Sequence, residues 1–162
     1  MQRTRRKGRR EMGVTYRMAR VEDLPALARL RWEMEVERRH ATMDLDAYTR
    51  AYADALREDV ARGANVSWLA EDGGEAVACV TLVWWNLAPN FTDAQRRRGF
   101  VSNVYTRPAY RRRGISRALM TALIAWAREQ GLLRLILWAS DMGRPLYESL
   151  GFGPSRGLEL NL

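Results

Sequence analysis

A chain of 162 residues, 47% hydrophobic and 28% charged, has the balance of one folded domain. Its longest apolar run, residues 76–91, is broken by Thr81, Asn86, Pro89 and Asn90, which excludes a membrane-spanning helix. A lone cysteine, Cys79, excludes a disulfide scaffold, and a lone histidine, His40, excludes a Cys/His zinc cluster. The net charge is +8, but Arg3, Arg5, Arg6, Lys7, Arg9 and Arg10 supply much of it, and the residues after 11 hold 21 basic against 18 acidic side chains. Residues 1–13 therefore read as a basic, disordered tail ahead of a single domain over 14–162. No apolar segment follows the arginines, so the tail does not read as an export signal, and a cytoplasmic protein is expected.

Val14–Met18 is the first strand candidate. Asp23 caps a helix with Pro25 in its first turn, and Leu24, Leu27, Leu30 and Met34 recur at helical spacing towards Arg39. A second helix is predicted from Asp44 to before Gly63. Two strands, Val66–Ala70 and Ala76–Trp85, flank Asp72-Gly73-Gly74, the clearest hairpin turn in the chain. Residues 86–98 read as a loop, and Phe100–Thr106 as a strand stopped by Pro108. An amphipathic helix covers about Ser116–Gln130, with Leu119, Leu123 and Trp126 on its buried stripe and Gly131 as its stop. Leu132–Ala139 is almost continuously apolar, as a strand covered on both faces would be. Gly143–Leu150 is a short helix, and Gly157–Asn161 has room for a last strand. This order predicts a mixed α/β (α+β) domain. Of the tryptophans most are expected in the core, although Trp84 and Trp85 must face opposite sides of their strand.

The most informative stretch runs from Val104 to Arg117. A strand ends at Pro108, a basic turn follows, and a helix begins near Gly114. Backbone N–H groups at a helix start lack intrahelical partners and lie at the positive end of the helix dipole. Gly114 permits close approach, Ser116 is small, and Arg111, Arg112, Arg113 and Arg117 add charge, so the turn is built to cradle a pyrophosphate. A P-loop needs Gly-Lys-Ser/Thr, yet no lysine lies near; a Gly-x-Gly-x-x-Gly run after an early strand is absent too.

The run Arg111-Arg112-Arg113-Gly114-Ile115-Ser116 resembles the Gln/Arg-x-x-Gly-x-Gly/Ala loop of the GCN5-related N-acetyltransferases, with serine at the last small position. Ser140 to Phe152, containing Leu146-Tyr147-Glu148-Ser149-Leu150-Gly151-Phe152, resembles the second signature of that family, Asn-x-x-Ala-x-x-Leu-Tyr-x-x-Leu-Gly-Phe. The resemblance implies the family's acyl-CoA N-acyltransferase fold, a mostly antiparallel twisted sheet with helices on both faces. It also implies acetyl-CoA as co-substrate, without a metal, and direct attack of a primary amine through a tetrahedral intermediate. Backbone groups of Val104, Tyr105 and Thr106 would hold the acetyl and pantetheine end. Residues Arg111, Arg112, Arg113, Gly114, Ile115, Ser116 and Arg117 would wrap the pyrophosphate. Tyr147 would lie by the thioester sulfur and protonate the departing thiolate.

This sequence departs from the family pattern in three ways. Ser140 stands where many members have asparagine, Leu132–Ala139 contains no carboxylate, and the C-terminal segment is short enough to truncate a terminal strand hairpin. Glu33, Glu37, His40 and Asp93 are candidates for a general base, each with a bland surface reading beside it, and none is nominated. Asn103, if aimed into the cleft, would orient rather than deprotonate. A small-molecule amine is the expected acceptor, with a protein N-terminus or lysine, or an acyl-CoA-binding member without turnover, as alternatives. A homodimer is expected from family habit. A membrane partner is not indicated, and neither is a nucleic-acid partner, since the arginine tail has no aromatic residues interleaved for stacking.

Overall fold

The computed structural model describes residues 13–40, 42–86, 88, 97–155 and 160. Its ordered elements are β1 (Thr15–Met18), α1 (Leu24–Glu37), α2 (Leu45–Ala61), β2 (Asn65–Asp72), β3 (Glu75–Asn86), β4 (Arg97–Thr106), α3 (Ile115–Glu129), β5 (Arg134–Ile136) and α4 (Arg144–Ser149), with single 3-10 turns at Val21–Asp23 and Pro108–Tyr110. The five strands form one sheet in the order β1-β2-β3-β4-β5, antiparallel except for the parallel β4/β5 pair. This is the mixed α/β domain that the order of elements predicts, with the mostly antiparallel sheet that the resemblance implies.

Strand alternation divides the core between the two faces. Trp68, Ala70, Ala78, Val80, Leu82 and Val101 meet Ile115, Leu119, Met120, Leu123 and Ala127 of α3. Leu69, Cys79 and Tyr105, the intervening positions, meet Leu24, Leu27, Leu30 and Met34 of α1. Trp84 packs beside Trp126 at 5.2 Å between ring centroids, whereas its neighbour Trp85 is exposed. At the entry to α1, Asp23 does not bond its own helix start. Its carboxylate takes two guanidinium N–H groups of Arg17, at 2.6 and 2.8 Å, which hold it below the usual carboxylate range. Asp44 does cap α2, accepting the Ala47 N–H at 2.9 Å.

One strand differs from expectation. Of Leu132–Ala139 only Arg134–Ile136 joins the sheet, pairing with Arg98–Phe100. Leu133 is exposed, and Trp138, expected in the core, is 75% exposed and meets Phe100 edge-on. An apolar run reads alike for a central strand and for a short strand followed by extended chain, because hydrophobicity carries no information about pairing length. The tail at 1–12, Asp93 and all of the predicted strand at 157–161 except Leu160 lie outside the described residues.

Candidate active site

Two backbone irregularities shape β4. Pairing with β5 stops at Phe100/Ile136, so from Val101 to Thr106 the outer edge of β4 has no strand partner among the described residues. Gly99 lies where the packing is tight: a Cβ there would fall 2.7 Å from Leu135 Cδ2 and 2.8 Å from Leu82 Cδ1. On its inner edge β4 carries one extra residue, because Cys79 pairs with Tyr105 but Thr81 with Ser102. The bulge centres on Asn103, whose φ of 53° lies in the left-handed region that asparagine tolerates better than most residues. Asn103 is buried. Its backbone carbonyl accepts the Cys79 thiol at 3.2 Å, its amide nitrogen donates to the Tyr52 hydroxyl at 3.3 Å, and its amide oxygen has no partner among the described residues. Burial pushes the Cys79 thiol up to about 12 and raises the Tyr52 phenol above its ordinary value, so both stay protonated.

Past Thr106 the chain turns through Pro108–Tyr110 and enters α3. Arg112 and Gly114 adopt left-handed backbone, with φ of 63° and 77°. The N–H groups from Arg112 to Arg117 donate to no described residue; the first intrahelical bond of α3 runs from Ala118 N–H to the Gly114 carbonyl. A turn holding several such groups at a helix N-terminus, with Arg112, Arg113 and Arg117 exposed around it, matches the donor set that a diphosphate requires. Ser116, the departure from the family loop, uses its hydroxyl in a 2.8 Å bond with Thr106 Oγ1, which ties the strand end to the helix start. The side chain of Arg117 donates to Ser149 at 2.8 Å, and so joins the turn to α4.

Arg111 is placed differently from its neighbours. Its Nε donates to the Thr106 carbonyl at 2.9 Å, a terminal nitrogen donates to Glu37 at 2.5 Å, and the group lies 5.8 Å from the Tyr105 ring centre. Arg107 is held by both oxygens of Glu33 at 2.8 Å and also by Glu75. Glu37 also accepts from the Tyr105 hydroxyl at 3.4 Å, and its carboxyl is held below the usual range, chiefly by Arg111. The two α1 carboxylates considered as bases are thus engaged with arginines. His40 is an exposed imidazole 3.6 Å from Glu35.

Tyr147, on α4, packs its ring against Phe152, 6.1 Å between centroids, and over Gly143, where a Cβ would stand 2.9 Å from Tyr147 Cε2. Burial raises its phenol, which keeps it a proton donor at neutral pH, and its hydroxyl bonds to no described residue. Ser140, in the position of the family asparagine, accepts the Gly143 N–H through its hydroxyl at 3.2 Å and thereby closes the turn into α4. A cleft of about 1080 Å³ runs along β5 and α4 past Ile136, Trp138, Tyr147 and Phe152. It reaches Tyr147 but none of the turn residues 107–117. Donor geometry, not cavity size, therefore marks the turn as the candidate anion site. Among the described residues no cluster of His, Cys, Asp or Glu is arranged to hold a metal ion.

Sequence reasoning missed Tyr52 and the Glu33–Arg107 and Glu37–Arg111 pairs, which join elements about seventy residues apart. Glu33 and Glu37 lie one helical turn apart and could signal a shared target, but nothing local names it.

A comparison with protein-family models matches residues 24–152 to the acetyltransferase (GNAT) family. The glucosamine 6-phosphate N-acetyltransferase of Trypanosoma brucei brucei is 36% identical over 66 residues, 41% of this chain and 45% of that protein. Among solved structures, a GCN5-related N-acetyltransferase from Ralstonia eutropha JMP134 is 31% identical over 93% of this chain and 99% of its own, with a TM-score of 0.78. The predicted acetyltransferase of Clostridium acetobutylicum, solved with acetyl-CoA, superposes with a TM-score of 0.82 at 26% identity, covering 92% of this chain and 96% of its own. With its family match spanning residues 24–152 and the Ralstonia eutropha structure alike over nearly the whole of both chains, this chain belongs to the GNAT acetyltransferase family.

Proposed function

We propose that this protein transfers the acetyl group of acetyl-CoA to the primary amine of a small molecule. The observation that carries the reading is the turn before α3, where left-handed Arg112 and Gly114 leave six successive N–H groups, those of 112–117, without an acceptor among the described residues. The acetyl-CoA in the Clostridium acetobutylicum structure and the amino-sugar acceptor named for the Trypanosoma relative support the co-substrate and the acceptor class.

The residues divide the work by chemistry. N–H groups from Arg112 to Arg117 hold the diphosphate, with Arg113 and Arg117 adding charge at its rim. Val104, Tyr105 and Thr106, on the strand edge freed beyond Phe100, offer main-chain groups to the pantetheine arm, and an N–H near Tyr105 takes the charge that develops on the carbonyl oxygen. Acetyl-CoA supplies an activated acyl group. The amine nitrogen forms the new C–N bond from its lone pair, and the C–S bond breaks with its electron pair left on sulfur. Tyr147 gives its proton to that sulfur, while the nitrogen releases one to water, from which Tyr147 is restored. Ser140 holds the turn that aims Tyr147.

Calorimetry with coenzyme A tests the cradle. Thiol release from acetyl-CoA in the presence of an amino-sugar phosphate, an amino acid, a polyamine, an amine-bearing antibiotic and a peptide with a free N-terminus tests turnover and acceptor class. Binding without thiol release from any of these would instead identify an acyl-CoA-binding member without turnover. That second reading is favoured by one observation, the engagement of Glu33 and Glu37 with arginines. No helix among the described residues is long and apolar enough to cross a membrane. We propose a cytoplasmic homodimer, an assignment that sedimentation and cell fractionation check.

A further inference from the structure

Resting on the acetyltransferase reading, we infer that Glu37 and Glu33 are positioning residues for the diphosphate turn, through Arg111 and Arg107, and not bases for the acceptor amine.

The turn has a problem that these pairs solve. Arg112 is a non-glycine residue at φ 63°, a conformation that persists only where its surroundings over-determine it. On its N-terminal side the main chain is closed by weak local bonds, with Tyr110 N–H on the Arg107 carbonyl at 2.9 Å and Arg111 N–H on that of Pro108 at 3.3 Å. The side chain of Arg111 adds what those bonds lack. It folds back to the Thr106 carbonyl, lies across Tyr105, and is held there by Glu37, so the residue directly before Arg112 is fixed to the end of β4 and to α1 at once. Arg107, at the other end of the same turn, is fixed by the bidentate contact with Glu33 one helical turn earlier on α1. The Arg107 N–H bonds the Val77 carbonyl, so the turn is pinned to β3 as well. Both ends of the turn are thereby referred to one helix, α1, whose Leu24, Leu27, Leu30 and Met34 are buried in the core beside the two carboxylates.

A base would need different surroundings. A carboxylate whose charge is stabilised by a guanidinium at 2.5 Å is a weaker proton acceptor than a free one, and Arg111 lowers the Glu37 carboxyl in this way. Both oxygens of Glu33 are occupied by Arg107. What α1 presents to the turn is geometry, and the linkage runs both ways: any movement of α1 alters affinity for the diphosphate, and the diphosphate holds α1 in place.

The two roles separate cleanly in kinetics. If Glu37 is a positioning residue, Glu37→Gln raises the coenzyme A Kd about 3–10-fold, the net worth of one ordinary hydrogen bond, since the pair is partly exposed to solvent. Turnover at saturating acetyl-CoA then stays within about twofold of wild type, and the pH–rate profile keeps its limb. Arg111→Met, which also loses the bond to the Thr106 carbonyl, raises the Kd at least as much, and the double variant is no worse than Arg111→Met alone, because Glu37 acts through Arg111. Glu33→Gln is a second, independent arm at the other end of the turn. Asp23→Asn, which breaks the ion-pair network of Arg17, lowers the melting temperature without changing the Kd, and so separates positioning of the turn from general stability. An unchanged Kd in both Glu37→Gln and Glu33→Gln overturns the inference. So does a fall in saturated turnover of about 100-fold or more with loss of the pH limb, which is the signature of a base. A wild-type protein that gives no heat with coenzyme A overturns the acetyltransferase reading itself, an outcome distinct from either.

Discussion

Replacing Gly114 by valine tests the cradle with two effects that can be weighed separately. At φ 77° an L-residue meets its own carbonyl, at a cost of about 1–2 kcal/mol. No atom lies within 4 Å of the added Cβ, so no clash adds to that strain. For a chain of this size each kcal/mol lowers the melting temperature by about 2–4 °C, and against a typical stability of about 5–15 kcal/mol the fold survives. Ligand binding suffers much more. The branched side chain stands in the open space before the N–H groups, and losing two charge-assisted hydrogen bonds of about 1.5–3 kcal/mol each weakens coenzyme A by about 10²–10⁴-fold. Gly63, at φ 64° and also with open space about it, supplies a control with equal strain and no part in the turn. Gly63→Val should melt earlier by a similar margin and bind coenzyme A like wild type. Calorimetric titration beside a thermal melt reads both quantities. A Kd for Gly114→Val within threefold of wild type, or equal weakening by Gly63→Val, would refute the reasoning.

Four further outcomes follow from named contacts. Tyr147→Phe removes a hydroxyl that bonds to no described residue, so the fold is kept; turnover should drop by about 10²-fold or more while the coenzyme A Kd holds, and undiminished turnover removes Tyr147 from the mechanism. Cys79 is fully buried, so a thiol reagent should titrate no protein thiol until denaturant is added, and early labelling would contradict the packing of β3. Because its folded pKa is raised, to about 12, its contribution to stability is complete below the unfolded value of about 8.5 and is lost as pH rises from there towards 12; urea melts should show the decline, and Cys79→Ala should remove the part between about 8.5 and 10, below which the raised tyrosine phenols do not titrate. Glu37 has the opposite sign: with its folded pKa lowered, its contribution is present above the unfolded value of about 4.3 and is lost as pH falls through the folded one. Both partners of that pair are partly exposed, so the effect is about 0–1 kcal/mol; it should be absent from acid melts of Glu37→Gln. Deleting residues 1–11 should leave coenzyme A affinity intact, whereas a nucleic-acid-binding tail would take the protein's affinity for polyanions with it.

Features that repeat over neighbouring residues are legible in the amino-acid order alone. Apolar runs mark β2 and β3, and Asp72-Gly73-Gly74 marks their turn, because apolar content and turn chemistry are local properties. The start of α3 is legible for the same reason: a strand stop, a positive-φ glycine and an amphipathic stripe lie within a dozen residues. The bulge at Asn103 is not. An extra residue in one strand is defined only against its partner, and Ser102-Asn103-Val104 alternates as plausibly without it. The length of β5 is hidden too, since apolar character shows burial or its expectation but not where a ladder ends. Ser116 shows the limit from another side. As a departure from the family loop it suggests weakened function, yet its hydroxyl has a defined partner in Thr106, which no spacing rule connects to it.

Charge around the turn bears on what kind of recognition it supports. Five arginines stand between 107 and 117, and read as a run they are an undirected positive patch with affinity for any polyanion. The fold divides them. Arg107 and Arg111 lie against α1 with their charge met by Glu33, Glu75 and Glu37, while Arg112, Arg113 and Arg117 remain exposed. The anchored pair adds little net field, but it holds the backbone in a shape the chain would not otherwise keep, and that shape aligns the free N–H groups. Main-chain donors select by distance and direction, whereas exposed guanidinium groups on long side chains select chiefly by charge. On the proposed reading, pairing two of the five arginines with carboxylates moves recognition away from bulk phosphate and towards a diphosphate presented at one depth and one angle, with whatever is attached to it directed along the open edge of β4 at Val104–Thr106.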